Sequence, residues 1–331
     1  MLKQSLIPEL FEEKGSVEKS ILQRVFFSGV ENAPEVFIKR DDLIHTEISG
    51  NKWRKLKYNL IEADRQGYKT LLTFGGAYSN HIYATAAAGK IFGFKTIGII
   101  RGEETLPLNP TLSFAKSRDM EIHYLPRTIY RNRNDENFQK EIALRFDKPY
   151  VIPEGGSNSL ALKGVGELIE EIDIDFDYIC SAVGSGGTLA GIICGLNLAS
   201  SKKRVLGFPA IKGGEYMNSI ISSFITNYNN MNYDNWNLIY DYHFGGFAKI
   251  NFELISFIDE FENNNNIKLD SIYTAKMLYG ICDLIRKDYF KNDETIIAIH
   301  TGGLQGNAGM EKKINKILER EKEEIFFNNI V

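Results

Sequence analysis

Apolar and polar positions along this chain follow two alternating periods. Short apolar runs predict strands over residues 36–42, 70–74, 96–100, 121–124, 150–152, 178–183, 205–208, 238–242 and 295–299. Between most of them, apolar residues fall three or four apart, as on one face of a helix. In the helix predicted over 52–66, Trp53, Leu56, Leu60, Ile61 and Ala63 keep that spacing, and Gly67 reads as its stop. The strand at 70–74 runs through Gly75-Gly76 into an alanine-rich helix expected to end near Gly89. Residues 311–324 read as a charged packing helix with Ile314, Ile317 and Leu318 on one side. Strand and helix alternating through short Gly-rich junctions predict an α/β fold: a mostly parallel sheet covered on both faces.

The 331 residues are enough for two lobes, and contents of 43% apolar and 25% charged are those of a globular protein. A net charge of −4 without a basic block argues against nucleic acid as a partner. No apolar run approaches the roughly 18 residues of a membrane span, and residues 1–13 do not resemble a signal peptide. Cys180, Cys194 and Cys282 are far apart and match neither a zinc pattern nor a disulfide framework. The expectation is a cytoplasmic enzyme without a metal. No internal repeat is visible, and the asparagine clusters at 226–237 and 263–266 read as surface loops.

One stretch is anomalous. Ile48-Ser49-Gly50-Asn51-Lys52-Trp53-Arg54-Lys55-Leu56 puts three cations into the first turn of a helix, where the macrodipole is already positive. Either an anion sits opposite, or one of the cations is not charged at rest. A lysine that condenses with an aldehyde cofactor meets the second condition; a basic, solvated helix start is the plainer alternative.

Open α/β sheets bind ligands where strands give way to helices. Four Gly-marked junctions stand at such places: Gly75-Gly76-Ala77-Tyr78-Ser79-Asn80-His81, Glu154-Gly155-Gly156-Ser157-Asn158, Val183-Gly184-Ser185-Gly186-Gly187-Thr188 and His300-Thr301-Gly302-Gly303. In the third, backbone N–H groups can converge on an anion at a helix start, and a phosphate is the natural occupant. It is not a P-loop, since it has no lysine. It is not the dinucleotide fingerprint either, since the last glycine place is Leu189 and no acid follows where one is required. Ser79 can serve as an N-cap or touch ligand, as can Asn80. His81 reads as a satisfied surface histidine.

Taken in order with Lys39-Arg40-Asp41-Asp42 and Asp270-Ser271-Ile272-Tyr273-Thr274-Ala275-Lys276, these motifs resemble the pyridoxal-phosphate enzymes of the tryptophan-synthase-β type (fold type II). Within that group they resemble the 1-aminocyclopropane-1-carboxylate deaminase and D-cysteine desulfhydrase family. The resemblance implies a two-lobed fold, with a small lobe at 53–154 and a large lobe from 1–52 and 155–331. It also implies pyridoxal 5'-phosphate, a small amino acid as substrate, and a homodimer. By the same resemblance Lys52 would bind the cofactor's aldehyde and later move the substrate's α-proton. Lys55 and the loop Gly184, Ser185, Gly186, Gly187 and Thr188 would hold its phosphate, Asn80 its phenolic oxygen, and Thr274 would stand near the ring nitrogen. Ser79, Tyr273 and Tyr242 would face the substrate; as an alternative, both tyrosines are half-buried structural residues.

Family members that open the cyclopropane ring carry glutamate where Thr274 stands, and the desulfhydrases carry threonine. The resemblance therefore implies α,β-elimination from a D-amino acid, giving pyruvate, ammonia and sulfide, with ring opening to 2-oxobutyrate as the alternative. A cofactor-holding protein without turnover is a third reading. The chain departs from the family at Ser159-Leu160-Ala161-Leu162-Lys163-Gly164, over 213–237, and around Tyr242. These stretches border the substrate side.

Overall fold

A computed structural model describes residues 7–31, 33–199 and 203–328, with side chains of the last helix described to residue 323. Ten strands form two sheets among the described residues. The strands are β1 (Leu22–Val25), β2 (Glu35–Lys39), β3 (Thr70–Gly76), β4 (Lys95–Arg101), β5 (Glu121–Leu125), β6 (Tyr150–Ile152), β7 (Tyr178–Val183), β8 (Arg204–Pro209), β9 (Trp236–Leu238) and β10 (Thr295–Ile299). The larger sheet has the order β1-β2-β10-β7-β8-β9 and the smaller the order β5-β4-β3-β6. Every pairing is parallel except β1 with β2.

Parallel strands covered on both faces should be apolar throughout rather than alternating. All six residues of β7 are buried. Its two faces feed different clusters: Tyr178, Cys180 and Ala182 join Leu278 and Ile281 of the helix Thr274–Arg286. Ile179 and Val183 join Leu189, Ile192 and Ile193 of the helix Gly187–Leu198. The helix Asn51–Arg65 sends Trp53, Leu56 and Leu60 against Leu71 of β3 and Ala84, together with Ile7, Phe11, Ile44 and Ile48.

Several expectations change: the strand predicted at 36–42 is Glu35–Lys39, and the asparagine clusters at 226–237 and 263–266 are not loops throughout, since the helices Met217–Asn229 and Phe252–Asn265 and the strand Trp236–Leu238 run into them. The predicted strand at 238–242 is instead Trp236–Leu238, because β8 ends in Pro209, which has no N–H to extend the ladder. The alanine-rich helix runs on to Phe92 and ends at Gly93, whose φ of 78° closes it. Gly89 is interior instead: a Cβ there would come within 2.3 Å of the Thr96 side chain, so the glycine lets helix and β4 meet. The edge strand β1 was not foreseen, because Leu22-Gln23-Arg24-Val25 is short and half polar. No helix among the described residues is long and apolar enough to cross a membrane. No group of three or more metal-ligating side chains gathers among them.

Candidate active site

The anomalous helix start lies where the Gly-rich junctions meet. Gly50, at φ 63°, packs so closely on the fourth junction that a Cβ would come within 2.0 Å of the Thr301 carbonyl oxygen. Asn51 N–H donates to that same oxygen at 3.2 Å. The Asn51 side-chain amide donates to Thr188 Oγ1 of the third junction at 2.8 Å. Lys55 Nζ donates to Gly155 O of the second junction at 2.7 Å and to Ser157 Oγ at 2.9 Å. From the first junction, Asn80 lies against the fourth, where a Cβ on Gly303 would meet its Nδ2 at 2.5 Å.

The three cations have separate fates. Arg54 is paired: its guanidinium donates to Asp41 at 2.6 and 2.7 Å and to Glu171 at 2.7 and 2.8 Å. Asp41 is wholly enclosed, so this pairing is what makes its charge tolerable. Lys55 is 1% exposed, and burial, with the Lys52 charge as a second cause, drives its pKa well down. The Lys52 amine makes no hydrogen bond or ion pair among the described residues, its backbone N–H alone donating, to Ser49 O at 3.4 Å. Burial of its amine lowers its pKa to about 8. Burial thus weakens the charge of both lysines, and Lys52 is the one of the two whose amine has no partner among the described residues, as a lysine free to attack a carbonyl requires.

An anion cradle surrounds Lys55. Ser157 Oγ and Ser185 Oγ are 2.7 Å apart, and Lys55 Nζ reaches Ser185 Oγ at 3.4 Å. Gly186 has φ 85° and starts the helix Gly187–Leu198. A Cβ on Gly187 would strike Ser157 Oγ at 2.5 Å, and one on Gly155 would strike Ser185 Oγ at 2.7 Å. Hydroxyls, the Lys55 amine, whose charge a bound anion would restore, and helix N–H groups therefore converge in a space kept open by absent side chains, and they suit a phosphate. Over the same loop, the Tyr273 ring lies 3.1 Å from where a Gly184 Cβ would be. Burial, with Asp270 and Glu154 as secondary causes, raises the Tyr273 pKa and keeps the phenol protonated. Next to it Thr274 is fully buried, and its Oγ1 has no hydrogen-bond partner. Such an orphan costs stability unless a ligand atom satisfies it. The N–H groups beside it are accounted for, since Asp270 accepts from Ile272, Tyr273 and Thr274.

Of the expected site residues, Lys52, Lys55, Asn80, Thr188, Tyr273, Thr274 and the loop 184–187 gather here. Ser79 borders them as the N-cap of Asn80–Phe92, accepting from His81 and Ile82 N–H. Tyr242 is not brought in. Its hydroxyl donates to Asp283 at 2.8 Å, about 14 Å along the helix from Thr274 at 1.5 Å per residue. Its ring packs between Phe208 and Tyr279 in the core.

Asn51, Ser157 and His81 were missed. The first two stood inside motifs already singled out, beside a more conspicuous neighbour. His81 is no surface residue, being 2% exposed. Its Nε2 lies 2.8 Å from Thr73 Oγ1, which donates to Ile152 O; the imidazole must therefore carry its proton on Nε2. Nδ1 is left without a partner. Burial, followed by the charges of Lys52 and Lys55, holds the ring's pKa well below its usual value.

A two-lobed α/β fold, a buried lysine amine without a partner, an anion cradle and an orphaned hydroxyl together fit a pyridoxal-phosphate enzyme of fold type II. The chain belongs to that family: the family model described as "Pyridoxal-phosphate dependent enzyme" matches residues 21–302. A protein of Pyrococcus horikoshii, named as a candidate 1-aminocyclopropane-1-carboxylate deaminase, is 34% identical over 86% of this chain and 89% of its own length. An Arabidopsis thaliana mitochondrial protein named as a bifunctional D-cysteine desulfhydrase and 1-aminocyclopropane-1-carboxylate deaminase is 32% identical over 84% of this chain and 74% of its own. The crystal structure of an ACC deaminase homologue superposes with a TM-score of 0.79 at 31% identity, covering 95% of this chain and 100% of the other.

Proposed function

We propose that this enzyme carries out α,β-elimination on a small D-amino acid with a β-thiol, releasing sulfide and an enamine that water then hydrolyses to pyruvate and ammonia. The observation that supports the reading is the neutral, unpartnered Thr274 hydroxyl; in this reading it lies beside the ring nitrogen, where a carboxylate would keep that nitrogen protonated. Bound pyridoxal phosphate supplies an aldehyde for the substrate's amino group and a ring that draws electrons from the α-carbon. A hydroxyl beside that ring leaves it a moderate electron sink. That suffices where an α-proton leaves and a thiolate departs. Opening a cyclopropane that has no α-hydrogen demands more.

In this reading Lys52, unpartnered and with a pKa of about 8, takes the α-proton. Lys55, Ser157, Ser185, Thr188 and the N–H groups of 184–187 hold the phosphate. Asn80 faces the phenolic oxygen. Ser79 accepts from two backbone N–H groups, which leaves its own O–H free to hold the substrate carboxylate. Tyr273 remains protonated and can donate to the departing group. A homodimer in the cytoplasm belongs to the same reading, and sedimentation of the purified chain checks the dimer.

The second reading is ring opening of 1-aminocyclopropane-1-carboxylate, favoured by the name of the 34% identical Pyrococcus relative. The cofactor-loaded protein should release sulfide and keto acid from D-cysteine and none from L-cysteine or the cyclopropane substrate. 2-Oxobutyrate from the last would replace the first reading with the second.

A further inference from the structure

His81 and Lys52 each lack what the other has. The imidazole is buried, and its Nε2–H is spent on Thr73 Oγ1 at 2.8 Å, since that hydroxyl itself donates to Ile152 O. This fixes the tautomer and leaves Nδ1 as a lone-pair acceptor with no donor. A buried acceptor left unmet costs stability. The Cε1–Nδ1 edge of the ring lies against Gly156, where a Cβ would come within 3.0 Å of Cε1, 3.3 Å of Nδ1 and 3.7 Å of Lys55 Cβ. The ring therefore faces the side of the helix Asn51–Arg65 that carries Lys55 and, three residues before it, Lys52. Lys55 is committed to Gly155 O and Ser157 Oγ. The Lys52 amine, on its flexible four-carbon stem, is a donor without an acceptor. Those two lysines are the charges that act on His81. The other polar groups against the ring are Thr73 of β3 and the backbone of Pro153 after β6, and no carboxylate faces it among the described residues.

We propose that His81 Nδ1 receives an N–H of the Lys52 amine when that amine carries a proton, which makes His81 a positioning residue for proton transfer at the substrate's α-carbon. This inference rests on the role given to Lys52 above. A lysine that moves a proton needs a place to hold its charged form beside the α-carbon. A carboxylate there would bind the ammonium as an ion pair and keep the proton on it. The His81 ring accepts the hydrogen bond without taking the proton, because burial, and then the charges of Lys52 and Lys55, hold its own proton affinity well down. The bond to Thr73 keeps the ring from turning Nδ1 away. The structure holds the Lys52 amine unattached, as suits the neutral form that attacks a carbonyl; the bond to His81 belongs to the protonated form.

The test uses two variants that divide the ring's two bonds. His81→Gln can still donate to Thr73 and has no acceptor in the place of Nδ1. His81→Asn puts an oxygen in that place and loses the bond to Thr73. The first readout is the rate at which the cofactor-free chain captures pyridoxal phosphate, followed by absorbance against pH. Only the neutral amine attacks, so the midpoint of that curve reports Lys52. The second is exchange of the α-hydrogen of D-alanine for deuterium by the loaded enzyme, which needs proton transfer and no leaving group. A hydrogen bond to the charged form raises an amine's pKa, so His81→Gln should move the capture midpoint down by about one pH unit and slow the exchange about tenfold. His81→Asn should keep the parent's midpoint and most of its exchange. A merely structural histidine predicts the reverse order, with the variant that loses Thr73 the worse. An unchanged midpoint in His81→Gln overturns the proposal, as it would if an ordered water met Nδ1. If neither variant folds, the nitrogen resonance of Nδ1 in the unaltered cofactor-free chain decides: it should shift as Lys52 gains its proton, and a resonance that stays fixed through that midpoint overturns the bond. No exchange from D-alanine in the unaltered enzyme sinks the proton-transfer role of Lys52, and the capture midpoints then judge its bond to His81 alone.

Discussion

The Asn51 side-chain amide donates to the Thr188 hydroxyl across 137 residues of sequence, at 2.8 Å. The bond ties the start of the lysine helix to the start of the helix that closes the phosphate loop. Lys52 and the cradle are therefore fixed to each other by a side chain between them, not only by the sheets behind. A cofactor held at both places, as proposed, would have each end constrained by the other, and the link would make that spacing rigid before the cofactor arrives.

Replacing Asn51 by leucine removes the link at similar size. One neutral hydrogen bond contributes about 1 kcal/mol. Pyridoxal-phosphate binding should weaken by about fivefold, read as a dissociation constant from the cofactor's absorbance. A lower melting temperature with an unchanged constant would make Asn51 a structural strut and nothing more.

Lys52 gives a prediction about pH. Its folded-state pKa is about 8 against 10.5 in the unfolded chain, because burial disfavours the ammonium. Below pH 8 both states bind the proton, and the folded chain bears the full cost of enclosing it. Between pH 8 and 10.5 the unfolded chain binds more protons, so stability rises with pH there. Two and a half pKa units correspond to at most about 3 kcal/mol. Lys276 titrates in the same direction and range, its burial opposed by Asp270. The comparison must therefore be between the cofactor-free chain and its Lys52→Met variant. The variant should be more stable below pH 8, with the gap closing by pH 10.5. Parallel urea midpoints for the two proteins from pH 7 to 10.5 would sink the assignment. The same substitution should also abolish covalent capture of the cofactor, seen as loss of its shifted absorbance.

Much of this architecture was legible because its signals are local. The apolar run at 178–183 is β7 to the residue, and the glycines after it do open a helix. Buried parallel strands announce themselves by composition, and glycine announces a close approach wherever it falls. Tyr242 was illegible for the opposite reason. What removes it from the site is Asp283, 41 residues on, and no spacing rule relates the two. His81 was misjudged because part of what encloses it comes from another junction: besides Thr73 on the preceding β3, Gly156 after β6 packs on it, where a Cβ would come within 3.0 Å of its ring. Gly89 shows the converse error, in which a local breaker signal was overridden by tertiary packing against Thr96. The expected site residues that the fold brings together lay in motifs whose order along the chain, rather than any single spacing, carried the information.

Thr274 offers the sharpest test, because its effect should change sign with the cofactor. In the cofactor-free chain its Oγ1 is buried and bonded to nothing. Thr274→Val keeps the shape and removes the orphan. An unsatisfied buried hydroxyl costs about 1–3 kcal/mol, so the cofactor-free variant should be more stable than its parent by about 1 kcal/mol, measured by urea unfolding. With pyridoxal phosphate bound, the proposed placement would give the hydroxyl the ring nitrogen as an acceptor, and the variant would lose that bond. Its cofactor affinity should fall about fivefold, and the loaded variant should lose its stability advantage. Stabilisation of both forms would mean that the hydroxyl faces away from the ring. Destabilisation of the cofactor-free form would mean that it has a partner in solution, such as an ordered water. Either result would take away the feature on which the choice of elimination over ring opening rests.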